Sequence, residues 1–326
     1  MTDAIALALA NLTSPAVLFF ALGIFAGVAR SDLTIPQAIA KGLALYLMLA
    51  IGFKGGAAVA EVGLSMDLAL AALAGVVLSF SLPLVAFALL RAFTKVDRAT
   101  AAASAAHYGS ISVVTFVAGS EFLTASGLIW SGHMVAVLAI METPAILTGL
   151  WLAGRAAKGP DPEARPELLR EVLLNGSVVL LIGAFLIGWA SGPAGMARLD
   201  LFVNGLFQGL LCLFLLDMGL VASRRLGGAK KLGVSGIAFG VVMPLIGAAA
   251  ALPVAWLIGM SAGDAAALMI LSGSASYIAV PAAMRIALPE ADPSVYLTLS
   301  LAITFPFNLT IGIPLYTSVA RAVLGG

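Results

Sequence analysis

The chain has 326 residues, of which 61% are hydrophobic and only 10% charged, whereas a soluble domain carries about a quarter charged residues. A net charge of +1 gives no basic excess that would point to nucleic acid, and a single cysteine, Cys212, excludes an intrachain disulfide and any multi-cysteine metal or iron–sulfur centre. These values describe a polytopic membrane protein.

A bilayer core of about 30 Å is crossed by about 20 apolar residues in a helix. Ten such blocks follow one another: 14–29, 36–54, 65–93, 99–123, 133–154, 168–190, 200–222, 232–259, 262–288 and 294–323. A chain in lipid must pair its own backbone groups, so the blocks predict an all-α bundle of ten transmembrane helices. The N-terminal "MTDAIALALANLTSP" lacks the basic region and cleavage pattern of a signal peptide. The one clearly polar connector, "GRAAKGPDPEARPELLREV", lies near the midpoint. It divides the chain into residues 1–154, a linker 155–167, and residues 168–326.

Basic residues set the orientation. Arg30, Lys41, Arg91, Lys95, Arg98, Arg155, Lys158, Arg165, Arg170, Arg224, Arg225, Lys230, Lys231 and Arg285 fall on one side of the ten spans, and only Lys54, Arg198 and Arg321 on the other. The first side is therefore expected to be cytoplasmic. Both termini then face outward and the midpoint linker faces the cytoplasm.

Each half holds five spans, an odd number, so a repeated second half must lie inverted in the membrane. Gly75 with Pro83-Leu84 matches Gly236 with Pro244-Leu245, and "LMLAIGF" from Leu47 resembles "FLLDMGL" from Phe214. Gly109-Ser110-Ile111-Ser112 is echoed by Gly273-Ser274-Ala275-Ser276, and "ETPAILTG" from Glu142 by "TFPFNLTIG" from Thr304. The offsets are 161, 167, 164 and 162 residues. Their near constancy predicts two inverted five-helix repeats.

The Gly-Ser segments interrupt the fourth helix of each repeat. Glycine lets the backbone leave helical geometry, and serine hydroxyls can replace lost backbone bonds or meet a ligand. Transporters built from inverted repeats commonly bind substrate and ions at such interruptions near the bilayer midplane. Half-helix N-termini carry partial positive charge, so two of them suit a small anion. Close helix packing through small residues is the competing account; the breaks' equivalent positions favour a site.

Among ionisable residues inside spans, Glu142 stands out because a charge at membrane depth costs at least about 2.5 kcal/mol. It precedes Thr143-Pro144, whose proline frees a backbone carbonyl. A carboxylate beside carbonyls and hydroxyls suits sodium, and Thr304 and Asn308 offer further oxygens around Pro306. Asp217 serves either ion coupling or helix pairing, and His107 precedes the first break. Without further His, Cys or paired carboxylates there is no case for a transition-metal site. No Walker loop, nucleophile elbow or acid–base pair is present, which disfavours an ATP-driven pump or an enzyme and implies no organic cofactor.

The segments "HYGSISVVTF", "METPAIL", "LSGSASYIAVPAAMR" and "TFPFNLTIGIPLY" resemble those of the sodium-dependent bicarbonate transporter family, over essentially the whole chain. The resemblance implies a bacterial plasma-membrane permease with a core and a gate domain, assembled as a homotrimer and importing bicarbonate with sodium. It implies anion-holding hydroxyls at Ser112 and Thr115 of the first break and at Ser274 and Ser276 of the second; with Gly109, Ser110 and Gly273 these make the expected anion site, while Glu142 is the expected sodium ligand and Thr304 and Asn308 are a weaker or purely structural counterpart. Glu142 stands where well-known members have Asp. Those members follow the second serine pair with an Asp and Ser-Gly-Pro-Pro, where this chain has Tyr277-Ile278-Ala279-Val280-Pro281; Val113-Val114 replace a Gly-Ser pair before Thr115. Its linker is also shorter than the loop through which they meet a small cytoplasmic signal protein. Two other readings stand beside this one: a symporter for another anion such as a small carboxylate, and a non-transporting sensor or scaffold. An all-hydroxyl site without an Arg clamp favours a compact inorganic anion.

Overall fold

The computed structural model of the protein describes residues 11–63, 65–154, 174 and 176–325. The expected linker 155–167 lies outside the described residues. Among those residues every regular element is helical: α1 Pro15–Val28, α2 Gln37–Val62, α3 Met66–Phe93, α4 Arg98–Gly109, α5 Val113–Ala125, α6 Met134–Ile140, α7 Glu142–Leu152 and α8 Gly176–Asp200, followed by α9 Phe207–Leu257, α10 Ala262–Ser272, α11 Ala279–Ala287, α12 Pro293–Leu297, α13 Phe305–Phe307 and α14 Ile313–Leu324. Among the described residues eight helical stretches are long and apolar enough to cross a membrane, and α1 and α10 are shorter apolar helices. A polytopic membrane protein follows.

Side-chain caps begin many of these helices. Ser14 precedes Pro15 at the first turn of α1, and Ser65 accepts from the Leu68 N–H at 3.3 Å. Asp97 accepts from Thr100 N–H at 2.9 Å to open α4, and Ser261 accepts from Asp264 N–H at 3.1 Å to open α10. Each cap satisfies an amide that the first helical turn leaves without a partner.

Three elements differ from their expected bounds. The loop expected between the sixth and seventh blocks is largely helical: after a non-helical Gly192 (φ 55°), a second helical segment of α8 starts at Pro193 and runs to Asp200. The fixed φ of proline preorganises a helix start. The seventh and eighth blocks are two helices that meet within α9 at a non-helical Gly233 (φ 67°), with no longer loop between them. The last block is not a uniform α-helix, since wide-turn segments Thr298–Thr304 and Asn308–Gly312 flank Pro306.

Glycines bring the outer helices into backbone contact. A Cβ on Gly23 of α1 would overlap the Leu216 carbonyl of α9, and one on Gly219 would overlap the Phe20 carbonyl. The α2–α8 pair repeats the device, with Gly56 against the Phe185 carbonyl and Gly188 against that of Phe53. Such close crossings are how small residues hold helices together in lipid. The apolar window within Arg98–Ala125 is buried throughout, and all of α10 is buried, whereas most of the window in Val179–Gly205 faces outward. The interrupted helices therefore run through the centre of the bundle, shielded by the others.

Candidate functional site

Both expected breaks exist. Between α4 and α5, residues 110–112 leave helical geometry, with extended backbone at Ser110 (ψ 166°) and Ser112 (ψ 109°). Between α10 and α11 the interruption covers residues 273–278.

A proline lies behind each break. Pro83 in α3 cannot bond to the carbonyl of Ser79, and Gly109 packs onto this spot: its Cβ would overlap the Pro83 ring and lie 2.6 Å from Ser79 O. In the second half, a Cβ on Gly273 would lie 2.9 Å from the carbonyl oxygen of Pro244 in α9. Pro244 likewise frees the Gly240 carbonyl, which accepts from Thr304 Oγ1 at 2.6 Å. Thr304 Oγ1 also shares a hydrogen bond with Tyr108 OH at 2.7 Å.

The two breaks cross and bond to each other. Ser112 N–H donates to Ser274 Oγ at 2.9 Å, and that hydroxyl donates to Leu271 O at 2.7 Å. In the opposite direction, Ser276 N–H donates to the His107 carbonyl at 2.8 Å. Each interruption thus supplies partners for backbone groups that the other exposes, which a bilayer interior demands. Ser112 Oγ additionally caps α5 by accepting from Thr115 N–H at 3.1 Å.

Beside this crossing lies a pocket of about 10 Å³, lined by Met48, Ile111, Ser112, Val113, Glu142, Ser276, Tyr277 and Ile278. That is room for about one water. Val113, the first residue of α5, and Ile278, the residue that precedes α11, both border it, so two helix N-termini approach there. Glu142 is 5% exposed, and its carboxylate has no hydrogen-bond or ion-pair partner among the described residues. Four of the five buried side-chain atoms without a hydrogen-bond partner among the described residues belong to the two break regions: His107 Nε2, Ser110 Oγ, Ser272 Oγ and Tyr277 OH. Buried polar groups ordinarily have partners. Their concentration marks a place built for polar contents.

The expected site residues separate into two sets. Ser112, Ser276 and Glu142 line the pocket; Ser110 and Thr115 are buried beside it in sequence, while Gly109, Gly273 and Ser274 build the crossing. Thr304 and Asn308 belong to a separate hydrogen-bonded network. Asn308 Nδ2 donates to the Gly273 carbonyl at 2.8 Å, and Asn308 Oδ1 accepts from Tyr316 OH at 2.9 Å. His107 is a packing residue, stacked on Tyr296 at 4.5 Å with its Nδ1 hydrogen-bonded to Ala103 O at 2.6 Å. Asp217 is buried in α9 and does not line the pocket. Among the described residues no group of three or more His, Cys, Asp or Glu side chains could hold a metal ion. Tyr277 is the lining residue that sequence reasoning left without a role. Its signal was a phenol directly after the second Gly-Ser segment, inside a span.

A sequence model of the Na+-dependent bicarbonate transporter superfamily matches residues 15–321 of the chain. No curated protein matches it.

Proposed function

Because the chain belongs to the Na+-dependent bicarbonate transporter superfamily, we propose that it imports a small inorganic anion, bicarbonate, together with sodium across a bacterial plasma membrane. Membership of a transporter family fits the membrane helices and points away from an enzyme. The observation that carries the reading is the pocket between two helix N-termini, lined by Ser112, Ser276 and Glu142, whose carboxylate has no partner among the described residues. The N-termini favour an anion. When ionised, the carboxylate requires a cation beside it, because a buried charge without a partner is costly. Anion and sodium then neutralise each other in one site, with Thr304 and Asn308 stabilising the surrounding helices. Uptake of labelled bicarbonate into proteoliposomes with and without a sodium gradient tests this directly; equal uptake in both would refute sodium coupling.

The same reading takes the chain as ten spans in two inverted five-helix repeats. Its support is that Gly109 meets Pro83 as Gly273 meets Pro244, and that the glycine crossing of α1 with α9 resembles that of α8 with α2. Both termini face outward, and a homotrimer is the assembly that the family resemblance implies. Under this topology a cysteine introduced as Pro160→Cys is protected from an impermeant thiol reagent added to intact cells. Labelling from outside would reverse the orientation.

Ser112→Ala and Ser276→Ala should each raise the half-saturating bicarbonate concentration about tenfold or more, since a hydrogen bond to a charged group contributes about 1.5–3 kcal/mol. Ser112→Ala should also lower thermal stability by about 1 kcal/mol, because it removes the cap of α5. Acting on one ligand, the pair should be non-additive in affinity. Unchanged affinity in both single variants would exclude the shared site.

A further inference from the structure

The residue that most limits the pocket is Tyr277. It directly follows Ser276 and precedes the helix α11, and its ring stands edge-on to Phe305 at 5.6 Å. Its hydroxyl is buried next to the Ser112 side chain, yet makes no hydrogen bond of acceptable geometry among the described residues. The pocket that it shares with Ser112, Ser276 and Glu142 is about 10 Å³, enough for about one water. An anion of four heavy atoms does not fit unless a lining side chain yields. The lining offers one large side chain that carries an idle donor, and that is Tyr277.

Resting on the bicarbonate reading above, we propose that Tyr277 is the specificity-determining residue of the site: its ring sets the upper size of the anion and its hydroxyl hydrogen-bonds the anion when it enters. The ring yields along the α10–α11 break, where the backbone is not held in a helix. The phenol then exchanges an unmade hydrogen bond for one to a charged oxygen, a contact stronger than one between neutral groups. A hydroxyl both donates and accepts. It can therefore also receive the O–H of bicarbonate, which nitrate, of similar planar shape, does not possess. Bicarbonate is admitted because its third substituent is a hydroxyl that can pair with the phenol; acetate, with the same number of heavy atoms, would press a bulkier methyl that forms no hydrogen bond against the ring and is excluded.

The test uses the full-length protein in proteoliposomes under an inward sodium gradient and three forms: wild type, Tyr277→Phe and Tyr277→Ala. Labelled bicarbonate uptake is measured alone and against unlabelled formate, nitrate and acetate, with thermal stability measured on the same preparations. Tyr277→Phe keeps the ring and should raise the half-saturating bicarbonate concentration about tenfold or more, narrow the preference for bicarbonate over nitrate, and leave acetate excluded. Tyr277→Ala should let acetate compete where the wild type ignores it. A Tyr277→Phe protein with wild-type affinity and wild-type nitrate discrimination would overturn the hydroxyl role. Tyr277→Ala that folds and still ignores acetate would overturn the size role; should it fail to fold, Tyr277→Leu serves the same comparison. A wild type without bicarbonate uptake would remove the underlying reading itself, and this proposal with it.

Discussion

Glu142→Gln is expected to shift the sodium dependence of uptake to far higher sodium concentrations while making the protein more stable in sodium-free buffer. The two effects have opposite sign for one physical reason. Glu142 is 5% exposed without a partner among the described residues, so in the absence of a cation its charge is a cost of about 2.5 kcal/mol or more. The amide has nearly the same shape and carries no charge. With sodium present the relation reverses, because breaking a buried ion pair by removing one partner costs about 3–5 kcal/mol. Half-saturating sodium should therefore rise by about a hundredfold or more. Sodium titrations of uptake, paired with melting curves in sodium and in potassium, read both quantities. A variant that keeps the wild-type sodium titration would remove Glu142 from the coupling site.

Gly247→Ala should be among the most damaging single-methyl substitutions in the chain. The added Cβ would overlap the carbonyl oxygen of Ser272 and lie 2.8 Å from its carbon, both rigid backbone atoms at the end of α10. No flexible side chain can move aside, so α9 must withdraw from the second break. Overpacking of this kind typically costs about 1–3 kcal/mol and sometimes more, and here it also separates the crossing that joins Ser274 to Ser112. Loss of both thermal stability and bicarbonate uptake is the expected result. Gly42→Ala is the control, because nothing lies within 4 Å of its added Cβ. It should be neutral or slightly stabilising through helix propensity. Equal melting temperatures for the two variants would show that the α9–α10 contact is not rigid.

The breaks were legible because lipid leaves a helix so few reasons to stop. A Gly-Ser-x-Ser run in an otherwise apolar span is a local event, readable without neighbours, and both occurrences became interruptions at residues 110–112 and 273–278. Glu142 was legible for a related reason, since a carboxylate among apolar residues needs an explanation wherever it lies. The helical turns from Pro193 to Asp200 fell in the gap left between the sixth and seventh blocks, because block limits follow apolar runs while a proline after a kink can start a helix anywhere.

By itself, the sequence determined the class of the molecule and where two of its apolar blocks would break, since each depends on hydrophobicity and backbone chemistry within one segment. It could not determine which side chains share a pocket. Helices that are apolar all round carry no periodic face from which to read a neighbour, so the places of Thr304 and Asn308 relative to Glu142 were not readable. The tertiary structure separates them: Pro244 frees a carbonyl that Thr304 pairs, Asn308 is held between Gly273 and Tyr316, and Glu142 lines the pocket with Ser112, Ser276 and Tyr277. Backbone groups exposed at one break are satisfied by the other, 162 residues away between Ser112 and Ser274, and a contact of that separation exists only once the chain has folded.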